Sequence, residues 1–312
     1  MLVVAGETIV DLIEVSDRKG QFQAFTGGGP YNVAKGAAKM EVKTGYLSPV
    51  STDSFGDDFV AEMEELNVIA LSPRSNAPSG LAIVKKDATG HPSYSFYRER
   101  TADRDIDLQR VKAAMPSAAK AFYIGGLAIA HGQDADIWAE FLNDVACPVF
   151  VDPNIRPTFI KDRESFLQRL AKIYDASRIV KLSDEDIEWI APEVHPHDYL
   201  VEVMDKHDVA LGLLTMGAKG AHAITKSGGD VFVAAPVVET VDTVGAGDCF
   251  SAASLASLLC KNSIDSIPTN EVLAEVLNYA VTAAAINCMR SGANAPTHAE
   301  ITHALSTSSF TP

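Results

Sequence analysis

Short apolar runs alternate with segments of helical periodicity along most of the 312-residue chain. Runs of this length are typical of buried strands, and apolar residues three and four positions apart are typical of helices that pack on one face. The alternation predicts an α/β fold, with a doubly wound, mostly parallel sheet and helices on both of its faces. The predicted strands lie at 2–5, 45–50, 121–124, 148–151, 179–182 and 209–215, and the predicted helices at 31–40, 58–66, 135–145, 163–174, 184–190, 248–259 and 272–289.

Two segments, residues 11–26 and 80–98, break this alternation and have the pattern of β-hairpins. We expect them to form a small separate β-sheet that acts as a lid on the main one. No internal repeat or long linker divides the chain, so residues 1–312 are predicted to form a single α/β domain with the lid inserted into it. The exposed edges of such a lid could pair with those of a second copy, giving a homodimer through the lid.

Composition and charge narrow the range of partners. Hydrophobic residues make up 47% of the chain and its formal net charge is −15, so it can bury a large core but lacks the basic surface that nucleic acids and anionic membranes require. No stretch reaches the roughly 20 apolar residues of a membrane span, and the first residues lack the basic region of a signal peptide. The four cysteines contain no Cys-x-x-Cys pair, which favours reduced thiols. We therefore expect a cytoplasmic protein that binds neither nucleic acid nor a membrane.

The glycine-rich segment Asp-Thr-Val-Gly-Ala-Gly-Asp-Cys-Phe at 242–250 is the strongest chemical motif. It opens a predicted helix, and the unpaired N–H groups at a helix start attract anions. The segment lacks the lysine of a P-loop, and Phe250 stands where a dinucleotide fingerprint needs a small residue. Asp248 has two interpretations: it caps the helix, or it is a general base beside a bound phosphoryl group.

A second glycine cluster, Gly-Gly-Gly-Pro-Tyr-Asn at 27–32, also opens a predicted helix. Pro30 suits the first helical turn. The cluster is either a tight loop or a place where the backbone lets a small polar ligand approach and Asn32 bonds to it.

Polar residues elsewhere have both structural and chemical interpretations. Ser183 and Asp186 have the spacing of a helix capping box. His195 and His197 are interpreted as part of a solvated loop rather than a metal site, because the sequence places no third ligand nearby. Residues 152–156 follow a predicted strand, at the sheet edge where α/β proteins bind ligands.

Together these motifs resemble the ribokinase-like (PfkB) carbohydrate kinases over nearly the whole chain, and most closely the fructokinase branch. The two glycine-rich segments are the signatures. Further segments match in the family's order, at 53–58, 96–98, 152–156, 181–186, 215–217 and 290–296. The resemblance implies an ATP-dependent carbohydrate kinase that uses Mg²⁺, with K⁺ as a further cation in some relatives.

The resemblance also implies roles for individual residues. Asp248 would take the proton from a sugar hydroxyl, and the backbone of Gly245, Ala246 and Gly247 would hold the transferred phosphoryl group. The sugar would contact Asp11, Gly28, Gly29, Asn32, Arg98 and Arg156. The nucleotide would contact Ser183, Thr215, Gly217, Gly220 and Asn287. Mg²⁺ would reach Asp186 through water, and a monovalent cation would bind Asp242 and the Val244 carbonyl.

These motifs constrain the identity of the sugar less than they constrain the type of reaction. The run at 94–103 looks most like the fructokinase branch, and Phe96 has no hydroxyl to offer a carboxylate, so we favour fructose with ATP. The alternative is 2-keto-3-deoxygluconate, whose carboxylate Arg98 could bind, or another sugar of the family. A hypothesis of another class is an inactive sugar- or nucleotide-sensing protein on the same fold, since fold does not settle activity.

Overall fold

The computed structural model describes residues 1–15, 18, 20–86 and 92–307, and the main sheet has nine strands. Seven strands are parallel, and an antiparallel pair extends one edge. The sheet order is β13-β12-β11-β10-β9-β8-β1-β4-β5. In chain order these strands are β1 (Leu2–Ala5), β4 (Thr44–Tyr46), β5 (Ile69–Ala70), β8 (Ala121–Gly125), β9 (Val149–Asp152), β10 (Ile179–Ser183), β11 (Leu211–Thr215), β12 (Ala221–Thr225) and β13 (Asp230–Val233).

Ten helices lie in the described part of the chain, and helices cover both faces of this sheet. In β1, Leu2 and Val4 belong to one hydrophobic cluster and Val3 and Ala5 to the other, which explains why the strand is apolar at every position. The predicted fold class is confirmed. The helices are α1 (Gly29–Lys39), α2 (Ser54–Glu65), α3 (Leu108–Ala114), α4 (Gln133–Phe141), α5 (Arg163–Asp175), α6 (Asp184–Ile190), α7 (Pro196–His207), α8 (Ala246–Cys260), α9 (Asn270–Cys288) and α10 (His298–Ser306).

A second sheet of four strands, here called the lid sheet, comes from the two segments that break the sequence pattern. It consists of β2 (Ile9–Glu14), β3 (Phe22–Gly27), β6 (Gly80–Lys86) and β7 (Pro92–Tyr97), in the order β3-β2-β6-β7. Parts of the predicted hairpins, at 16, 17, 19 and 87–91, lie outside the described residues.

Some predicted boundaries are wrong. The helix predicted at 58–66 begins at Ser54, because the Asp53 side chain caps it by accepting a hydrogen bond of 2.8 Å from the Gly56 N–H. Residues 195–197 are not a solvated loop: His195 stands at the N-cap position of α7, without a capping side-chain hydrogen bond, and Pro196 occupies the first turn.

The expectation that no third metal-ligating side chain lies near His195 and His197 is also wrong. His222 and Asp230, which are distant in sequence, lie beside His197. As for membranes, the described residues contain no helix that is both long and apolar enough to span one.

Candidate active site

The cradle predicted for a phosphoryl group is the start of α8. Gly245 immediately precedes the helix with φ of 75°, a left-handed conformation that favours glycine, and a Cβ there would lie 2.5 Å from the Cβ of Ala293. Ala246 and Gly247 form the first turn, whose N–H groups have no partner within the helix, although the Ala246 N–H donates to the Thr243 backbone oxygen of the preceding loop at 3.2 Å. Asp248 follows in the same turn and is only 7% exposed. The cradle and the carboxylate are therefore adjacent.

The Asp248 carboxylate lies against residues from two other elements. Asn32 Nδ2 of α1 donates a 2.9 Å hydrogen bond to Oδ2, and Asn154 Nδ2 lies 3.5 Å from Oδ1. A Cβ on Gly29 would lie 3.2 Å from Oδ1, so this glycine borders the carboxylate. Burial raises the pKa of Asp248 to about 6, although the Asn32 hydrogen bond opposes the shift. At neutral pH Asp248 is thus an ionised carboxylate of raised basicity, as a general base requires.

The second glycine cluster lies beside the same carboxylate. Gly28 has φ of 110°, and a Cβ there would lie 2.4 Å from the backbone oxygen of Glu7. Asn32, one turn into α1, keeps its Oδ1 buried and without a hydrogen-bond partner. A buried acceptor of this kind costs free energy until a donor reaches it, so it is ready for a hydroxyl group.

Asp11 lies on lid strand β2. A Cβ on Gly27 would be 2.4 Å from Asp11 Oδ2, so the glycine of the neighbouring strand makes room for the carboxylate. Burial raises the pKa of Asp11 to about 6, against the opposing charge of Lys35. Within the described residues, no side chain or backbone N–H donates a hydrogen bond to this carboxylate, which leaves it open to the hydroxyls of a ligand.

Arg98 is buried, and most of its guanidinium is already bound. Nε lies 2.6 Å from Asp103 Oδ2, and Nη1 donates to the backbone oxygen of Leu127 at 3.1 Å. Nη2 is buried without a hydrogen-bond partner, so its N–H groups are not bound within the protein. Arg156, by contrast, is exposed, and its charge lowers the pKa of Asp248, which puts it close to the carboxylate.

Sequence reasoning assigned no role to Glu7, which is buried beside these groups. Its Oε2 accepts hydrogen bonds from the N–H groups of Leu127 at 3.0 Å and Ala128 at 3.3 Å. Burial raises the pKa of Glu7 to about 7, against the charge of Arg98. An acid two residues after a strand that is buried on both faces was the available signal, because ligands bind at the carboxyl ends of such strands.

A buried ion pair lies beneath the cradle. Lys181 Nζ is 3.0 Å from Asp152 Oδ2, which also accepts a 2.9 Å hydrogen bond from Ser251 Oγ of α8. A Cβ on Gly247 would lie 3.5 Å from Lys181 Nζ. Burial lowers the pKa of Lys181, but the carboxylates of Asp152 and Asp186 together more than reverse this, so the ammonium stays charged. The ammonium of this ion pair lies beneath the cradle.

The predicted nucleotide residues lie at the carboxyl edge of β10 and β11. Ser183 and Thr215 end these strands and are paired with each other in the sheet. Gly217 and Gly220 follow with φ of 53° and 120°, and a Cβ on Gly220 would lie 2.1 Å from the Val233 backbone oxygen. The turn therefore needs glycine, and it borders the position where open α/β sheets bind ligands.

Asp186 forms the capping box that its spacing predicted. Its Oδ2 accepts hydrogen bonds from the Ser183 N–H and hydroxyl, and its Oδ1 accepts one of 2.7 Å from the Ile155 N–H. Asp186 thus holds α6 to the loop after β9. A contact with Mg²⁺ would use the lone pairs that remain.

The three other predicted ligand residues hold the loop before the cradle. Asn287 Nδ2 donates to the Val244 carbonyl at 2.9 Å, and Asp242 accepts hydrogen bonds from the N–H groups of Val244 at 3.0 Å and Gly292 at 2.9 Å. The resemblance implied that Asn287 contacts the nucleotide, and its amide nitrogen is bound within the protein. Its Oδ1 is buried without a partner.

Comparisons with known proteins agree with this fold. The family model "pfkB family carbohydrate kinase" matches residues 1–300. A fructokinase from Rhizobium leguminosarum bv. trifolii is 33% identical over 84% of this chain and 81% of its own length. The structure of a fructokinase with bound ATP from Xylella fastidiosa superposes with a TM-score of 0.89 at 24% identity, covering 99% of this chain and 98% of that chain. A Vibrio cholerae O395 fructokinase bound to fructose, ADP and calcium gives 0.82 at 22% identity, covering 97% of each chain.

The fold and the site define a carbohydrate kinase, as the sequence motifs predicted. The chain belongs to the pfkB family of carbohydrate kinases. The two solved structures share its architecture.

Proposed function

We propose that this protein is an ATP-dependent fructokinase in which Asp248 is the general base. One observation carries the proposal: a buried carboxylate in the first turn of α8, directly after the glycine-rich cradle. A phosphoryl group held at the N–H groups of that turn would face a sugar hydroxyl held at the carboxylate. The fructokinase relative from Rhizobium supports the choice of reaction.

In the proposed reaction, Asp248 accepts the proton of a fructose hydroxyl. The hydroxyl oxygen forms a bond to the γ-phosphorus of ATP while the bond to the bridging oxygen of ADP breaks. The negative charge on the transferred group is held by the N–H groups of Gly245, Ala246 and Gly247 and by the ammonium of Lys181 beneath them. Lid closure would exclude the water that otherwise accepts the phosphoryl group.

The remaining contacts use polar groups of the site that have no protein partner or that border the carboxylate. Asp11 and Asn32 Oδ1 would accept hydrogen bonds from sugar hydroxyls. Gly28 and Gly29 would let the sugar approach the backbone. Arg98 Nη2 and Arg156 would donate hydrogen bonds to the sugar. The nucleotide would lie along the edge formed by Ser183, Thr215, Gly217 and Gly220, and Asn287 would support the cradle through Val244.

Mg²⁺ binds substrate phosphates together with one or two carboxylates and keeps several waters. Asp186 fits that role through a water, because its carboxylate faces the loop that also carries Asn154. When bound, Mg²⁺ would neutralise phosphate charge. A monovalent cation would bind the Asp242 carboxylate and the Val244 carbonyl, whose oxygens also accept the hydrogen bonds described above.

The surroundings of Arg98 favour a neutral sugar over a keto-acid. Asp103 already neutralises the guanidinium at 2.6 Å, and the Glu7 carboxylate lies near enough to raise the pKa of Arg98 further against the effect of burial. A substrate carboxylate would enter a region where the positive charge is already balanced. Nη2, the one guanidinium nitrogen without a protein partner, would have to bind it on a cation that Asp103 already neutralises.

A kinase assay with ATP over a panel of sugars tests the proposal. Fructose is expected to give the highest kcat/KM, with 2-keto-3-deoxygluconate well below it. A clear preference for the acid would overturn the substrate and leave the kinase intact. Binding of sugar and ATP without ADP formation, whatever sugar is offered, would instead favour the sensing protein.

We also propose a homodimer through the lid sheet, and the cytoplasm as the compartment. Ile13 and Phe25 lie on the same face of the lid sheet and are 39% and 45% exposed, and apolar side chains exposed together on one face mark interaction sites. The four free cysteines fit a reducing compartment.

A further inference from the structure

Two histidines and one aspartate form a cluster at the antiparallel edge of the main sheet. His197 lies in the first turn of α7, His222 on β12, and Asp230 opens β13. His197 Nε2 is 2.9 Å from Asp230 Oδ2, and His222 Nδ1 is 3.1 Å from Asp230 Oδ1. None of the three belongs to the candidate active site. The cluster has no role in the proposed kinase reaction.

The fold explains why these residues meet. His222 pairs with Phe232 and Ile224 pairs with Asp230 in the antiparallel ladder, so all four side chains point to one face of the hairpin. Helix α7 packs on neighbouring β11 at Gly212, where a Cβ would lie 2.6 Å from the sulfur of its Met204. This close approach brings the first turn of α7, with His197, over the histidine and the aspartate.

We propose that His197 Nε2, His222 Nδ1 and the Asp230 carboxylate bind one divalent transition-metal ion, such as Zn²⁺, with water completing the coordination. Imidazole nitrogen and carboxylate oxygen are ligands that this class of metal takes. Their ligand atoms all lie within 4.8 Å of one another. Bonds of about 2.0–2.1 Å in tetrahedral geometry separate ligand atoms by about 3.3 Å. The observed nitrogen–oxygen distances are close to that value, so small side-chain adjustments admit an ion.

The Asp230 carboxylate faces both rings, with one oxygen near each of them. A metal needs each ring proton on the nitrogen that faces away from it. For His197 that nitrogen is Nδ1, which lies 3.5 Å from Asp198 Oδ1.

Space for the water ligand lies next to the cluster. A surface cavity of about 270 Å³ is lined by His197, Asp230 and Asp205, together with the β-turn between β12 and β13. The cavity has both polar and apolar walls and is large enough to admit water to the cluster. Three protein ligands plus water give an open site rather than the closed four-ligand site of a structural zinc. A bound ion would tie the start of α7 to the edge hairpin.

Metal titration of the full-length protein, stripped of metal and free of any histidine tag, tests this site. We expect one Zn²⁺ per chain by calorimetry, one Co²⁺ with visible ligand-field absorption, and a rise in Tm with Zn²⁺. His197→Gln and His222→Gln should each weaken binding at least about tenfold.

Two further variants make the test specific. Asp230→Asn keeps a hydrogen-bonding group but removes the anionic ligand, so it should lose the ion while keeping the Tm measured in chelator. His195→Gln removes an exposed histidine two residues from His197 and outside the cluster, and it should bind as the wild type does. If the cluster variants and His195→Gln bind Zn²⁺ alike, or if the wild type binds no stoichiometric ion, the three side chains are only a hydrogen-bonded group and the proposal is wrong.

Discussion

Replacing Arg98 by alanine is expected to destabilise the protein far more than it impairs the chemistry. The mutation leaves the Asp103 carboxylate, which is 1% exposed, without its cation. Removing one partner of a buried ion pair costs about 3–5 kcal/mol, because the other charge stays buried and uncompensated. The Thr101 hydroxyl, at 2.5 Å from Asp103 Oδ1, offsets only part of that cost. The loss of one sugar hydrogen bond from Nη2 costs about 1 kcal/mol, or on the order of tenfold in kcat/KM.

Urea denaturation of Arg98→Ala, Asp103→Asn and the double variant measures the two effects separately. Asp103→Asn removes the charge and keeps a polar group, so the double variant should recover part of the stability lost by Arg98→Ala. The same three proteins are assayed for kcat/KM with fructose under conditions where all are folded. If Arg98→Ala loses less than about 1 kcal/mol of unfolding free energy, the buried pair does not contribute as the structure implies. If its kcat/KM falls by a thousandfold while it is folded, Arg98 does more than donate one hydrogen bond.

Three other expectations follow from the site and the lid. An ionised Asp248 with a pKa of about 6 is the proposed base, so kcat/KM should be constant above pH 7 and fall tenfold per pH unit below about pH 6. A profile that stays flat down to pH 5 would exclude this base. Gly245→Ala, which puts a Cβ 2.5 Å from that of Ala293, should displace the cradle and lower kcat, whereas unchanged kinetics would mean that the cradle holds no phosphoryl group. Sedimentation should show that the wild type is a dimer and that the double variant Ile13→Glu, Phe25→Glu is a monomer. A monomeric wild type would refute the lid interface.

The main sheet could be predicted from the sequence because burial on both faces makes each parallel strand apolar throughout. Residues 2–5 show this directly: alternate side chains enter different hydrophobic clusters, so no polar position interrupts the run. The glycine-rich segment at 242–250 could likewise be predicted to open a helix that attracts an anion. The local pattern alone left Asp248 with two interpretations, a helix cap and a general base.

Side-chain partners that are distant in sequence could not be predicted. The pairing of Arg98 with Asp103 inside the protein, rather than with a ligand, depends on how β7 and the following turn fold over the sheet. His197 looked isolated because His222 and Asp230 reach it through the packing of α7 on the sheet edge. Asn287 was assigned to the nucleotide from the resemblance, whereas its amide donates to the loop before the cradle. Such contacts follow from tertiary packing, which local sequence patterns do not encode.

The central claim is that Asp248 is the base of an ATP-dependent fructose kinase, and turnover of Asp248→Asn tests it most directly. Burial raises the pKa of this carboxyl in the folded protein, so its ionised form destabilises the fold at neutral pH, and the neutral amide should leave the protein at least as stable. Calorimetry should then show fructose and ATP bound with affinities close to those of the wild type, while kcat for ADP formation falls by about 10²–10⁴-fold. A folded Asp248→Asn protein that phosphorylates fructose at a near-normal rate would contradict the account.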